Sequence, residues 1–405
     1  MRNLLLLFLS LTLSALSAQS AFTVYNHLNS DLPDDYINNI YIDADQNVWV
    51  CTLIGLAKLD PEGNWTIFNS GNSGLPDDNI QCAYVDNNGI LYVGTLIGGF
   101  ATYDGVTWNS YSPDNSPLPD YQVKCFMKDS NDTMWIGTTA GAVKWDGLDY
   151  WYTYTIGNSD LLSHNVNVIY QAENGVIYMG TVNGGVGVYA DGAISIYWLG
   201  NSDISDNTIL AIDEDASNNI WMATSFGGLS ILTPLVEFLN FTPFTSDITE
   251  LTVPDMQLDN DGVGMLAMST TGLNIFANPD WTNINSGNSD LPDDFLTALD
   301  ISSDNRVWLG TQTAGLVVYD KSFVSVQNQQ AAYTNIAYPN PADHILFLNI
   351  PHTSCYIYDM QGKRVQKGTT DLFLNTRELA DGLYMVELHD ETNVYRQRVL
   401  IAHAH

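Results

Sequence analysis

Between Ala21 and about Val326 the chain runs in short apolar and aromatic stretches of four to six residues, separated by Asp, Asn, Gly and Pro. There is little of the three-and-four spacing that marks an amphipathic helix, so these stretches read as short strands joined by tight turns. One stretch recurs with the same shape: VWVCT at Val48, LYVGT at Leu91, MWIGT at Met134, IYMGT at Ile177, IWMAT at Ile220 and VWLGT at Val307. Its aromatic position, Trp49, Tyr92, Trp135, Tyr178, Trp221, keeps a step of 43 residues, and Trp308 falls two units further on. A second marker keeps the same beat: the pair Asn-Ser opens at Asn29, Asn72, Asn115, Asn158, Asn201 and Asn288, with a degenerate copy around Ser246.

The chain therefore holds seven units of about 43 residues. Each unit reads as four strands. The first ends in an acidic turn such as YIDADQN or YVDNNG, and the second is the aromatic run. The third follows a glycine turn and often ends in aromatic-Asp, as in ATYD and VVYD; the fourth is rich in Trp, Tyr and Phe. Four strands per unit of 40–45 residues, repeated seven times, predict an all-β, seven-bladed β-propeller, because a single four-stranded blade cannot bury both faces and a closed ring of them can. Phe22–Pro33 parallels Trp65–Pro76, so the chain begins with a fourth strand, which is expected to complete the last blade ahead of the competing segment at Phe323. The loop from each fourth strand to the next first strand carries sequences such as NSDLPDD, at Asn29 and Asn288. All seven loops should project from one face around the central channel, placing Asp34, Asp35, Asp77, Asp78, Asp120, Asp293 and Asp294 there as candidate ligand-binding carboxylates. Calcium takes several such oxygens at flexible positions, so it is the one candidate cofactor; otherwise none is expected. The turns at Asp43, Asp86 and Asp259 resemble calcium loops superficially but lack the downstream bidentate Glu, and read as hairpin turns.

The unit, with Trp135-Ile136-Gly137-Thr138 before Gly141 and Trp308-Leu309-Gly310-Thr311 before Gly315-Leu316 and Tyr319-Asp320, resembles the two-component regulator propeller repeat. In that family such propellers often form periplasmic sensors of hybrid histidine kinases. This chain has about half the usual number of repeats and neither a kinase nor a membrane helix, so a signalling role does not carry over.

After about Gln330 the composition changes. QNQQAAYTN reads as a polar linker, and beyond Tyr338 alternating apolar runs with glycine turns predict six or seven strands of a small β-sandwich. Tyr338-Pro339-Asn340-Pro341-Ala342, Asp359 with Gly362 and Lys363, Gly382 with Tyr384, and the closing Arg398–Ile401 are similar to the C-terminal sorting domain of type IX secretion substrates in Bacteroidetes. That resemblance implies a partner, the type IX machinery, which carries the protein across the outer membrane. The expected organisation is a signal peptide at 1–20, the propeller at 21–326, a linker at 327–337 and the sorting domain at 338–405. Arg2, the apolar run from Leu4 to about Leu16 and the small residues before Ala21 carry the signal-peptide reading; that run is too short to span a bilayer.

Charge narrows the function. There are 13 Lys and Arg against 46 Asp and Glu, a formal net charge of −33. Such a surface repels nucleic acid and anionic membranes and suits cations, neutral sugars, peptides or basic partners. The segment beyond Tyr338 is nearly neutral, with six basic against eight acidic residues, so the propeller carries the charge. Cys51, Cys82, Cys125 and Cys355 match no zinc or redox spacing, and buried free thiols are expected in place of a Cys82–Cys125 disulfide. No catalytic motif occurs, and the propeller's two histidines, His27 and His164, pair with no nucleophile pattern. Trp65, Trp108, Trp151 and Trp281 could stack on sugars, but their period suggests packing between blades. The reading is a secreted or cell-surface, non-catalytic binding protein for a glycan, peptide or protein. The alternatives are a propeller enzyme of polysaccharide-lyase or streptogramin-lyase type and a structural scaffold in a surface complex.

Overall fold

In the computed structural model, which describes residues 20–277, 280–323, 337–338, 342–348, 354–359, 363–368, 373–389 and 394–403, the repeat resolves into seven four-stranded antiparallel sheets. Blade 1 is Ile37–Ile42, Val48–Thr52, Leu56–Leu59 and Trp65–Phe68; blade 2 is Ile80–Val85, Leu91–Thr95, Phe100–Tyr103 and Trp108–Tyr111. Blades 3 to 6 repeat the meander from Val123, Val166, Ile209 and Asp255. Blade 7 combines Leu296–Ile301, Val307–Thr311 and Leu316–Tyr319 with the N-terminal strand Phe22–Tyr25, which pairs antiparallel along Leu316–Tyr319 from Phe22 opposite Tyr319 to Tyr25 opposite Leu316. The expected closure therefore holds: the two ends of the ring meet inside one sheet, with Phe22–Tyr25 as its outer strand. The signal-peptide segment up to residue 19 and most of the linker lie outside the described residues.

The second strands explain why the aromatic run is apolar throughout. In six blades all five residues are buried, and in blade 6, where Gly264–Ala267 replaces the run, all four are. Their side chains fill the gaps between blades. Seven apolar clusters result, one for each blade-to-blade contact; the cluster joining blade 7 to blade 1 holds Trp308, Leu316 and Val318 against Ile37, Val48 and Val50. The four outer-strand tryptophans belong to these clusters, with Trp108 stacked on Tyr103 at 4.5 Å and Trp281 on Phe276 at 4.4 Å. The sugar-stacking reading of these residues thereby gives way to packing. The cysteines are free thiols: Cys82 and Cys125 occupy the same place in successive blades, each beneath its own blade's Gly94 or Gly137. Burial pushes the Cys125 thiol up to about 12, away from the reactive thiolate.

Beyond the propeller, Ala337–Tyr338, Ile345–Leu348 and Phe373–Asn375 form one sheet. Arg364–Gly368, Ser354–Asp359, Gly382–His389 and Val394–Ile401 form a second. One core of Leu346, Leu348 and Leu374 against Cys355, Ile357, Val386 and Val399 joins them, as a small sandwich requires.

Candidate functional site

Every first strand begins on the same face of the ring, so the loops from each fourth strand and the hairpins between second and third strands share that face. The repeated Asn-Ser is the device that shapes these loops. In blade 1's loop the Asn29 amide donates to the Val24 carbonyl at 3.0 Å, and its oxygen accepts from the Asn26 amide at 2.8 Å; Ser30 Oγ donates to the Asn26 carbonyl at 2.8 Å. The same bonds recur around Asn72, Asn115, Asn158, Asn201 and Asn288. In the degenerate copy Thr245 does the work with its hydroxyl, accepting from the Thr242 amide and donating to the Asn240 carbonyl.

The structure gathers the seven candidate carboxylates on this face but turns their oxygens toward the protein's own amides. In three of these loops the first acid grips the second-to-third hairpin of the blade that the loop enters. Asp77 accepts from the Ile97 amide at 3.0 Å, Asp120 from Thr139 Oγ1 at 2.6 Å, and Asp293 from both the Thr313 amide and hydroxyl at 2.9 and 2.8 Å. Asp34 accepts from the Tyr36 amide at 3.1 Å. The second acid ties down the start of its own loop: Asp35 accepts from the His27 amide, Asp78 from the Ser70 amide, and Asp294 from the amide and hydroxyl of Ser286. Two residues that spacing alone did not single out do the same work. Asp206 holds the Phe226 amide at 2.7 Å and Glu250 the Thr270 amide at 2.7 Å; an acid three to five residues before the first strand was the available signal.

A second set of bonds links blade to blade. The Gly99 amide donates to the Tyr121 carbonyl, and Gly185, Gly228, Gly272 and Gly315 donate in the same way to the loop entering the next blade. Gly99 sits at φ +85°, and a Cβ there would come within 2.1 Å of the Tyr111 carbonyl oxygen, so this joint admits only glycine. The face is thus a belt of short loops, bonded from blade to blade in this way at five of the seven joints.

Among mostly polar residues these loops expose a few large apolar side chains: Ile54, Ile97 and Phe226 are 54%, 70% and 74% exposed at the equivalent hairpin tips of blades 1, 2 and 5, and Phe295 is 46% exposed on the loop entering blade 7. His27 bonds Asp35 in the loop entering blade 1, whereas His164 lies in the loop entering blade 4, so the two histidines are not brought together. On the opposite face the turn acids serve structure. Asp43, Asp129 and Asp215 each accept from the indole nitrogen of the Trp six residues on, at 2.8 to 2.9 Å. The Asp43, Asp86 and Asp259 turns are hairpin turns, closed by Gln46, Gly89 and Gly262 amides. Near the axis Asp213, Asp255 and Asp300 accept the amides of Leu258, Leu299 and Ile42 in the next blade, at 2.7, 2.9 and 2.6 Å.

In the sandwich, Ala342 is buried and paired with Ile401, while Tyr384 is buried and its hydroxyl donates to the Ala380 carbonyl at 2.9 Å. Tyr338 and Asp359 close their strands, Lys363 is exposed, and Gly382 opens the strand that carries Tyr384. Pro339, Asn340, Pro341 and Gly362 lie outside the described residues.

Comparison with known proteins accords with this architecture. Residues 336–402 match the secretion system C-terminal sorting domain family. Residues 31–53, 74–96 and 117–140 match the two component regulator propeller family. No curated protein sequence matches the chain. Among solved structures it is similar to the extracellular domain of the hybrid two component system BT3049 from B. thetaiotaomicron, at 19% identity and a TM-score of 0.67, covering 95% of this chain and 58% of that one. It is also similar to PorZ, a surface component of the type-IX secretion system of Porphyromonas gingivalis, at 16% identity and a TM-score of 0.60 over 91% of this chain and 60% of that one. Virginiamycin B lyase from Staphylococcus aureus matches at 10% identity and a TM-score of 0.60, over 73% of this chain and 98% of the lyase. At these identities the likeness is one of fold, and the chain spans about three fifths of the length of the first two. Among the described residues no helix is long and apolar enough to cross a membrane.

Proposed function

We infer that this chain, which carries two-component regulator propeller repeats and a secretion-system C-terminal sorting domain and is exported by type IX secretion to the cell surface, is a non-catalytic binding protein that engages its ligand through the loop face. The observation that carries this reading is the set of exposed side chains Ile97, Phe226 and Phe295 on loops fastened by carboxylate–amide bonds, with Ile54 exposed on the hairpin of blade 1. Exposed apolar side chains on a rigid frame bind without first losing backbone freedom. Around them the net negative charge of the propeller favours basic groups, so the ligand best suited is a peptide or protein segment with apolar and basic residues. Asp34, Asp35, Asp77, Asp78, Asp120, Asp293 and Asp294 serve that ligand in two ways in this reading: they order the loops, and their remaining lone pairs supply the field. Glycan binding and calcium bridging are the competing forms of the same reading.

The test is a binding screen of the full chain against basic, neutral and acidic peptides and a glycan array, with and without calcium. Binding of basic-apolar peptides, weakened at least about tenfold by Ile97→Asp or Phe226→Asp at unchanged Tm, is the expected result. Silence of the peptides, or binding indifferent to both substitutions, overturns it. Turnover of a polysaccharide or a cyclic peptide lactone would put the lyase reading first, and copurification with one fixed partner would favour the scaffold.

A further inference from the structure

The sandwich draws three separate stretches of chain into one corner. Residues 342–344 lie against the last strand: the Ala342 amide donates to the Leu400 carbonyl at 2.8 Å, and the Ala402 amide to the Ala342 carbonyl at 2.9 Å. The stretch 376–381 closes the corner, with the Thr376 amide on the His344 carbonyl at 2.8 Å and Thr376 Oγ1 on the Asp343 carbonyl at 3.0 Å. On this frame Asp343, His344 and His403 bring one ligating atom each to within 4.8 Å of one another, and the two imidazole rings lie 5.6 Å apart.

The corner also has the support that a metal-ligating histidine needs. Asp381 Oδ1 accepts from the His403 backbone amide at 3.0 Å and sits 2.6 Å from His403 Nδ1. A carboxylate on one ring nitrogen fixes the ring's orientation and tautomer and makes the other nitrogen the better ligand. That other nitrogen, Nε2, has the Thr376 carbonyl at 3.3 Å, to which it can only donate, so binding an ion requires Nε2 to lose its proton and give up this contact. Two imidazoles and a carboxylate form a nitrogen-rich set, which suits zinc and its transition-series neighbours; magnesium and calcium take all-oxygen sets. Ligand atoms in a tetrahedral zinc site stand roughly 3.3 Å apart, given bonds of about 2.0–2.2 Å, so small side-chain rotations close the gap.

We propose that Asp343, His344 and His403 form a site for a zinc-like dication, with Asp381 as the positioning residue for His403 and water as the fourth ligand. The ion ties the start of the sorting domain to its final strand, so it stabilises the module by holding together two segments far apart in the chain.

The test uses the full chain, stripped with a chelator and titrated with zinc chloride by calorimetry alongside thermal unfolding. One tight equivalent and a rise in Tm of the sorting domain's transition are expected. His344→Ala and His403→Ala should each weaken binding at least about tenfold and remove the rise, and Asp381→Asn should weaken it about ten- to a hundredfold. His389→Ala, with His389 placed against Glu387, should change neither. Should the histidine variants fail to fold, cobalt(II) added to the unaltered chain is read instead: the visible band of a four-coordinate nitrogen–oxygen site, displaced by zinc, is expected. No tight equivalent, unchanged affinity in the folded histidine variants, or no such cobalt band overturns the proposal.

Discussion

Single residues show how the repeat tolerates its own variation. Six residues before each second-strand aromatic, or before Met265 in its place, stands Asp43, Asp86, Asp129, Ala172, Asp215, Asp259 or Ser302. Where the aromatic is Trp and the partner Asp, the two bond. Where that position holds Tyr92 or Met265, the freed carboxylate takes a cation instead, Lys128 at 3.0 Å on Asp86 and Lys321 at 2.5 Å on Asp259. In blade 7 the Trp survives but the acid has become Ser302, and the buried Trp308 indole nitrogen has no hydrogen-bond partner among the described residues. A buried donor left unsatisfied costs on the order of 1–3 kcal/mol. Ser302→Asp should therefore raise stability by about 1 kcal/mol in urea unfolding, and Trp308→Phe should be close to neutral despite its lost area. Asp129→Ala, which strands the Asn131 and Thr133 amides and the Trp135 indole together, should lose about 3 kcal/mol or more.

Among the elements, the loop and hairpin of one blade behave as a single unit because an acid joins them. Asp293 is buried and accepts from Phe295, from the Thr313 amide and from the Thr313 hydroxyl. Asp293→Ala should free the hairpin after Thr311 from the loop, lowering stability by about 2–3 kcal/mol. Hydrogen exchange would follow it: the Thr313 amide should exchange faster, while the interior of the second strand, Val307–Thr311, keeps its protection. If the acid were only a solvated loop charge, the substitution would alter neither.

The whole ring adds an effect that no one blade has. Asp213, Asp255 and Asp300 sit on three successive first strands around the axis, each accepting an amide from the next blade, with Asp300 reaching across the chain closure to Ile42. Burial in the narrow centre, reinforced by each other's charge, pushes Asp255 and Asp300 up to about 7 against their amide bonds; Tyr41 and Gln257 are the other polar groups facing Asp300. In the unfolded chain these acids titrate near 3.9. The folded ring therefore binds more protons than the unfolded chain between about pH 4 and 7, and stability from these groups is full below that window and lost as pH rises through it. Unfolding followed from pH 5 to 8 should show a falling Tm, and Asp255→Asn with Asp300→Asn should flatten the fall and leave the protein more stable at pH 8. A profile unchanged in the double variant would assign the slope to the histidines and to the general negative charge.

Much of this was legible in the sequence. The 43-residue beat carried the number of blades, the four-strand unit, the shared face of the loops and the closure by Phe22–Tyr25, because each depends on local alternation and turn chemistry that repeat along the chain. The Asn-Ser pair was visible as a signature for the same reason: its bonds reach back no more than five residues. What the carboxylates do was not legible. Asp77 grips Ile97 twenty residues away and Asp300 grips Ile42 across the ring, and a sequence shows the acid without showing which amide it meets. Asp343, His344 and His403 likewise meet only because the last strand of the sandwich returns beside Ala342. Local pattern determines strands, turns and repeats; the partner of a polar side chain is decided by packing, which sets what is near enough to bond and how far water is kept away.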